Sequence, residues 1–210
     1  MVFKDRTQAG KQLGDALRNR GIKADVVLAI PRGGLPLGRA VADALGAPLD
    51  VVIAKKIGAP GNPEYAIGAV AADGTAWRSE SALRGMDVSD AYFEQKRETV
   101  AEAVREKTRQ YRTDRSEPDF TDKSVVIVDD GVATGATARA CLLQIDEYDT
   151  EELILAVPVG PPDTIDELRQ LADTVVCLET PSHFRGVGQF YQRFDQVSDA
   201  EAMAYLDRDG

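Results

Sequence analysis

The stretch SVVIVDDGVATGATA, residues 124–138, decides how the rest of the chain is interpreted. Four consecutive apolar residues run into two adjacent aspartates, Asp129 and Asp130, and a loop of small residues with two threonines follows. Ligands of a parallel sheet bind beyond the carboxyl ends of the strands, which is where the two aspartates are expected. Glycines in the loop let backbone amides approach an anion at the start of the next helix. The stretch therefore predicts a strand, a ligand-binding loop and a helix.

Similar apolar runs recur along the chain and predict four further strands, at 25–30, 49–54, 152–159 and 174–179. Helical spacing of apolar residues and helix-ending glycines predict helices at 5–20, 35–46, 135–147, 163–172 and 198–207. Continuous apolar strands are typical of a sheet that helices cover on both faces. We therefore predict an α/β fold with a doubly wound, mainly parallel five-stranded sheet and flanking helices.

Residues 57–88 interrupt this alternation. Their glycines and prolines predict a mobile loop over 57–72, followed by a hairpin around Asp73 and Gly74. A helix is predicted over 89–112, with a narrow apolar stripe that suits packing on the domain edge or on a partner subunit, or simply a solvated surface helix. We predict one domain over 1–210, with a core at about 25–180, an inserted loop and helix at about 57–112, and a small C-terminal hood at about 181–195.

Composition limits the classes of function. The net charge of −10 opposes a broad nucleic-acid surface, which needs basic residues against phosphates. No apolar run reaches the roughly 18–20 residues that span a bilayer, and the first residues lack the apolar segment of a secretory signal, so we expect a cytoplasmic protein without a membrane partner. Two cysteines without CxxC spacing and one histidine offer little material for a clustered metal site or a Ser/His triad.

The charges beside the loop point to the kind of ligand. Ionised aspartates only accept hydrogen bonds, so they would repel a phosphate unless they address hydroxyl groups or a cation. A sugar phosphate satisfies both the aspartates and the loop. The Walker pattern GxxxxGK[ST] and the dinucleotide pattern GxGxxG are both missing from this stretch.

VVIVDDGVATGAT, residues 125–137, closely resembles the 5-phosphoribosyl diphosphate (PRPP) binding signature of the type I phosphoribosyltransferases. The resemblance implies that Asp129 and Asp130 hold the ribose hydroxyls and, directly or through water, a Mg²⁺ ion. It also implies that the loop binds the 5-phosphate, through Gly131, Val132, Ala133, Thr134, Gly135, Ala136 and Thr137.

AIPRGGLPLG, residues 29–38, resembles the diphosphate-binding loop of the same family, in which an unusual peptide geometry exposes backbone amides. The resemblance assigns diphosphate binding to Arg32, Gly33 and Gly34, although PRGG alone fits an ordinary tight turn equally well. Lys55 and Lys56 are predicted to end the next strand on the same sheet edge, where either would add positive charge, and a solvated strand end explains them as well.

The resemblance covers about residues 25–195 and implies transfer of the phosphoribosyl group from PRPP to a small nitrogenous acceptor such as a nucleobase, with release of diphosphate. Asp129, Asp130 and Arg32 are the implied catalytic residues. The loop would close over the site with Glu64 and Tyr65. Hood aromatics would stack on the acceptor, and the candidates are Phe184, Phe190 and Tyr191, although aromatics in a hood also commonly pack onto the core.

Other functions stay open at this point. Ala133 stands where family members that act on six-oxopurines carry an aspartate, so the usual base-contacting acid is missing. One alternative is a PRPP-sensing regulator without turnover. Another is a phosphate-binding hydrolase or receiver-like domain that uses the aspartate pair for phosphoryl chemistry. The sequence lacks the separate acceptor aspartate at a strand end and the lysine arrangement that this alternative would need. The resemblance is compatible with a homodimer.

Overall fold

The computed structural model describes residues 2–112 and 118–207. These residues form two compact units, which are described separately. The first unit comprises 2–52, 119–135 and 148–207, and the second comprises 53–112, 118 and 136–147. The inserted segment predicted at 57–112 falls in the second unit. That the two units act as one domain stays a prediction.

The elements are given in chain order. The strands are β1 (Val26–Ala29), β2 (Leu49–Val51), β3 (Ala54–Ala59), β4 (Asn62–Ala71), β5 (Ala76–Arg78), β6 (Ser124–Val128), β7 (Glu152–Val159) and β8 (Thr174–Glu179). The helices are α1 (Arg6–Asn19), α2 (Gly34–Leu45), α3 (Glu80–Gly85), α4 (Asp90–Tyr111), α5 (Ala136–Asp146), α6 (Pro162–Leu168) and α7 (Asp199–Leu206), with a short 3-10 helix at Val187–Phe190. Within the two described stretches, no helix has both the length and the apolar character needed to cross a membrane.

The first unit contains the predicted sheet. Its five strands are all parallel and lie in the order β2-β1-β6-β7-β8. β1 lies between β2 and β6, so the chain leaves β1 towards one side of the sheet and returns on the other. This order creates a switch point between the carboxyl ends of β1 and β6, where open parallel sheets bind ligands. The prediction of five parallel strands is confirmed.

Helices α1 and α2 pack closely within the first unit. A β-carbon added at Gly10 would lie only 2.7 Å from the Leu37 Cα, so α1 can approach α2 at this distance only with glycine there. Asp5 caps α1 by accepting a hydrogen bond from the Gln8 amide, 2.9 Å away. The cap therefore fixes where α1 begins.

The second unit is built on an antiparallel sheet in the order β3-β4-β5, with α4 and α5 packed on it. Ile57 and Ile67 are fully buried against Phe93 of α4, so the apolar stripe of α4 covers this sheet. The predicted loop at 57–72 is wrong in its structure: most of it forms β3 and β4, because its buried side chains and its backbone pairing stabilise a hairpin. The hairpin predicted around Asp73 and Gly74 is confirmed as the connection of β4 to β5.

Candidate ligand-binding site at the ends of β1 and β6

The acidic pair follows β6 directly. Asp129 Oδ1 accepts a hydrogen bond of 2.8 Å from the Asp130 amide, and Asp130 Oδ2 accepts one of 2.8 Å from Arg6 Nε. The Tyr191 hydroxyl donates a hydrogen bond of 2.6 Å to the backbone oxygen of Asp130. Only 14% of the Asp130 side chain is exposed. Residues from both ends of the chain therefore fix Asp130, through its carboxylate and through its carbonyl.

The electrostatics of the pair disfavour two bare negative charges. Burial, and then the neighbouring Asp130 carboxylate, raise the pKa of Asp129 well above its usual range. Burial also raises the pKa of Asp130, although the Arg6 guanidinium opposes this increase. A ligand that brings hydroxyl donors or a cation would stabilise the ionised pair.

The loop after β1 lies directly against this pair. The Ile30 amide donates to the Val128 oxygen over 2.9 Å, and the Pro31-Arg32 peptide bond that follows is cis. A β-carbon at Gly33 would lie 2.0 Å from Asp130 Oδ2, and one at Gly34 would lie 2.8 Å from the Val128 oxygen. The two glycines are thus what permits the loop to contact the end of β6. The stretch at 124–138, with the acidic pair, and the AIPRGGLPLG stretch at 29–38 therefore lie next to each other.

Arg32 contacts an aspartate of the last helix. Its Nη1 atom lies 3.9 Å from Asp199 Oδ2 at the start of α7, and about a third of its side chain is exposed. Such a long, partly exposed contact is weak and can be exchanged for a ligand anion.

The loop after the acidic pair turns at two glycines, since Gly131 has φ 149° and Gly135 has φ 72°. The Val132 amide donates a hydrogen bond of 2.9 Å to the Val159 oxygen, so the prediction that this amide faces a phosphate is wrong. Within 2–112 and 118–207, the amides of Ala133, Thr134 and Gly135 donate to no other backbone group. Ala136 and Thr137 begin α5 in the second unit, and amides in a first helical turn have no acceptor within the helix.

The hood aromatics differ in accessibility. Phe184 and Phe190 stack with ring centroids 5.5 Å apart, and Phe184 is half-buried whereas Phe190 is buried. The Tyr191 ring is also buried, and burial raises the pKa of its hydroxyl, which donates to the Asp130 carbonyl. Of the three predicted hood residues, Phe184 therefore has the most accessible ring.

Lys55 and Lys56 do not end a strand of the parallel sheet, so this prediction is wrong. β2 stops at Val51, and both lysines lie inside β3, where they pair with Val70 and Ala69 of β4. Lys56 Nζ contacts Glu64 Oε2 at 2.7 Å. Nearly half of the Tyr65 side chain is exposed. These four residues belong to the second unit.

Sequence reasoning missed Arg6 and the segment before it. The Phe3 amide donates to the Phe190 oxygen over 2.7 Å, and the Gln192 amide donates to the Phe3 oxygen over 2.8 Å. This pairing joins residues almost 190 positions apart, and one such bridge leaves no periodic signal in the sequence. The arginine at the start of α1 resembles any charged residue at a helix end.

The donor set limits how a metal would be held. Among the described residues, no three His, Cys, Asp or Glu side chains lie together in a way that could hold an ion. Asp129 and Asp130 fit a Mg²⁺ ion that keeps several waters and takes its other ligands from a bound phosphate compound. They do not form a closed protein cage.

Comparisons with known proteins agree with this geometry. The family model described as "Phosphoribosyl transferase domain" matches residues 7–194. The Mycobacterium tuberculosis H37Rv protein named "Putative phosphoribosyl transferase Rv0571c" is 41% identical over 207 residues, which cover 99% of this chain and 47% of that protein. The chain thus spans about half the length of the curated relatives it matches. The crystal structure of TT1426 from Thermus thermophilus is 40% identical, covers 98% of both chains and superimposes with a TM-score of 0.83. The chain belongs to the phosphoribosyl transferase domain family.

Proposed function

We propose that this protein transfers the 5-phosphoribosyl group of PRPP to a small nitrogenous acceptor and releases diphosphate. The observation that carries the proposal is the contact between the acidic pair and the Gly33-Gly34 loop at the switch point of the sheet. One ligand that has hydroxyl groups next to a diphosphate would satisfy both elements. Membership of the phosphoribosyl transferase family supports the same interpretation.

The sugar would lie against the acidic pair. Asp129 and Asp130 accept hydrogen bonds from the ribose hydroxyls, which orients the anomeric carbon. As the bond from this carbon to the diphosphate oxygen breaks, positive charge develops on the ring, and the nearby carboxylates stabilise it. The lone pair of the acceptor nitrogen forms the new bond, the diphosphate leaves with the electrons of the old one, and the nitrogen releases its proton.

The two loops would hold the charged ends of PRPP. Arg32 and the amides of Gly33 and Gly34 bind the diphosphate, since a guanidinium and exposed amides suit this anion. A Mg²⁺ ion carried by the substrate would neutralise the leaving group, and Asp129 and Asp130 would hold it directly or through water. The 5-phosphate would meet the amides of Ala133, Thr134 and Gly135.

The acceptor would meet the hood. A heteroaromatic ring stacks well on an aromatic face, and Phe184 has the accessible ring among the predicted hood residues. Phe190 would support this ring from behind, because the two rings are already stacked.

The test is release of diphosphate. The protein is mixed with PRPP, Mg²⁺ and one nitrogenous base at a time from a panel of purines, pyrimidines and smaller heterocycles. We expect release with one class of base, and a loss of about 10²–10⁴-fold in the variant with Asp129→Asn and Asp130→Asn, because two hydrogen bonds to charged groups are lost. Asp15→Asn, which removes an exposed carboxylate on α1, is the matched control and should retain full activity.

The other outcomes are equally informative. Binding of PRPP by calorimetry without release for any base would replace the transferase with a PRPP-sensing protein. If PRPP does not bind to the unmodified protein, both functions are rejected. Unchanged PRPP affinity in the double asparagine variant would show that the acidic pair does not hold the ribose.

A further inference from the structure

One arginine joins the acidic pair to the hood. Arg6 Nε donates to Asp130 Oδ2 over 2.8 Å, and Arg6 Nη1 donates to the Asp195 backbone oxygen over 2.6 Å. The Arg6 guanidinium carbon also lies 3.8 Å from the centroid of the Phe194 ring. Only 12% of the Arg6 side chain is exposed. A single planar group therefore contacts the candidate ribose carboxylate on one side and the end of the hood on the other.

The residues before Arg6 are tied to the same part of the hood. The Arg193 amide donates to the Lys4 oxygen over 3.1 Å, and Arg193 Nη2 donates to Asp5 Oδ2 over 2.6 Å. The Phe3 ring packs on the Tyr191 ring with centroids 5.5 Å apart. Together with the two Phe3 backbone hydrogen bonds described above, these contacts join residues 3–6 to residues 190–195 along their whole length.

We propose that Arg6 is a positioning residue that couples the hood to the ribose-binding carboxylate. The proposal rests on the proposed function. A change in the hood that moves Phe194 or Asp195 moves the guanidinium, and the guanidinium carries Asp130 with it. Binding of the acceptor at the hood and binding of PRPP at the acidic pair would therefore affect each other.

Arginine is the side chain that can make all three contacts of position 6 at once. Its donors point in fixed and different directions, so one side chain bridges a carboxylate and a carbonyl while its flat face covers an aromatic ring. A lysine would keep the charge near Asp130 but would lose the second contact and the stacking. The bridge holds Asp130 Oδ2 beside α1 and Gly33, which leaves Oδ1 to accept from a ribose hydroxyl.

Two variants of Arg6 and one control test the proposal. Arg6→Gln removes the charge and Arg6→Lys keeps it. Arg18→Gln, on the same helix, removes an exposed pair with Asp15 and serves as the control. Calorimetry measures the Kd of PRPP and of inorganic diphosphate for each protein. Hydrogen exchange of the peptide that contains residues 188–195 reports on the hood with and without PRPP.

We expect both Arg6 variants to bind PRPP at least about 10-fold more weakly than the unmodified protein and the control, with diphosphate affinity changed by less than about twofold. General structural damage would weaken both ligands together. We also expect PRPP to slow hood exchange in the unmodified protein and not in the variants.

Three outcomes would overturn the inference: full PRPP affinity in Arg6→Gln, full recovery in Arg6→Lys, or hood protection by PRPP that survives in both variants. If Arg6→Gln does not fold, Phe194→Leu removes the stacked face while Arg6 stays, and a PRPP affinity equal to that of the unmodified protein would count against the coupling. Failure of the proposed function is distinguishable, because it would appear in the unmodified protein itself, as no PRPP binding or as PRPP binding without diphosphate release.

Discussion

Replacing Gly33 with alanine is expected to weaken PRPP binding by displacing one side chain, Asp130. The backbone at Gly33 has φ −61° and ψ −32°, which alanine adopts readily. The expected effect therefore comes from a steric clash of the new β-carbon and not from backbone strain. The new β-carbon would lie 2.0 Å from Asp130 Oδ2 and 2.6 Å from Asp130 Cγ. The carboxylate must therefore move by more than roughly 1 Å to reach an ordinary contact distance.

The size of the effect follows from what the carboxylate loses. The displacement would break the 2.8 Å bond to Arg6 and, under the proposed function, would take Asp130 away from the ribose hydroxyl. A hydrogen bond to a charged group contributes about 1.5–3 kcal/mol, so the Kd of PRPP should rise about 10-fold to 100-fold. The lost bond to Arg6 also lowers the stability of the unliganded protein by a similar free energy, so we expect Tm to fall by about 3–12 °C.

The neighbouring glycine provides the contrast. A β-carbon at Gly34 would lie 2.8 Å from the Val128 oxygen and 3.3 Å from the Asp129 Cα, and these backbone atoms cannot rotate away. Overpacking of this kind costs about 1–3 kcal/mol, so Gly34→Ala should lower Tm by about 2–12 °C. Gly85→Ala is the control, because no atom lies within 4 Å of its added β-carbon.

Calorimetry with PRPP and a thermal unfolding scan on the three variants complete the experiment. The reasoning requires that Gly33→Ala binds PRPP at least about 10-fold more weakly than the unmodified protein and the Gly85→Ala control. A Gly33→Ala protein that binds PRPP within about twofold of the unmodified protein would refute it, since the carboxylate would then have room to move without consequence for the sugar.

Three further predictions concern the stability of the parts of the fold described above. Because burial raises the pKa of Asp129, the stability that this group contributes is present below its ordinary pKa of 3.8 and is lost as pH rises through the raised value. Asp129→Asn, which keeps an Oδ1 acceptor for the next amide, should therefore raise Tm at pH 7 and lose this advantage towards pH 4; a lower Tm at pH 7 would contradict the argument. Tyr191→Phe leaves the Asp130 carbonyl without its donor and should reduce the free energy of unfolding in urea by about 1–3 kcal/mol, whereas unchanged stability would mean that water replaces the hydroxyl. Phe93→Ala, at a residue only 1% exposed, should cost about 3–5 kcal/mol in the same assay, against less than about 0.5 kcal/mol for Tyr65→Ala on the exposed surface; equal effects would show that the α4 stripe is not part of a core.

The parallel sheet and the acidic pair could be predicted because their signals are local. Each buried strand is a continuous apolar run, and the two aspartates directly follow one of them. The boundary near residue 52 could not be predicted in this way. LDVVIA has the pattern of one strand, yet β2 ends at Val51 and β3 begins a different sheet at Ala54. Lys55 and Lys56 were misplaced for this reason, since composition does not reveal where a run changes its pairing partner.

The glycine-rich segment after residue 57 was misjudged for a related reason. Glycine and proline usually mark loops, and here Gly58 allows the backbone of Pro63 to approach within a distance that a β-carbon would block. Ile57 and Ile67 then bury the hairpin against α4, and this burial outweighs the weak local preference for strand. Tertiary packing decides the structure of this segment.

The acidic pair shows how chemistry and orientation have separate origins in this chain. The motif at 129–130 supplies two carboxylates, and burial raises the pKa of both and so disfavours their ionised forms. Arg6 and Tyr191 donate hydrogen bonds to Asp130, and Gly33 leaves its carboxylate the space that a β-carbon would fill; these residues lie in the first helix, the hood and the loop after β1. If the proposed function is correct, a carboxylate fixed in this way loses little orientational freedom when the sugar binds, and preorganised charge of this kind is most effective near a reacting centre. Under the proposed function, the motif supplies the candidate ribose-binding groups, while Arg6 and Tyr191, which lie far from it in the sequence, set the orientation of Asp130.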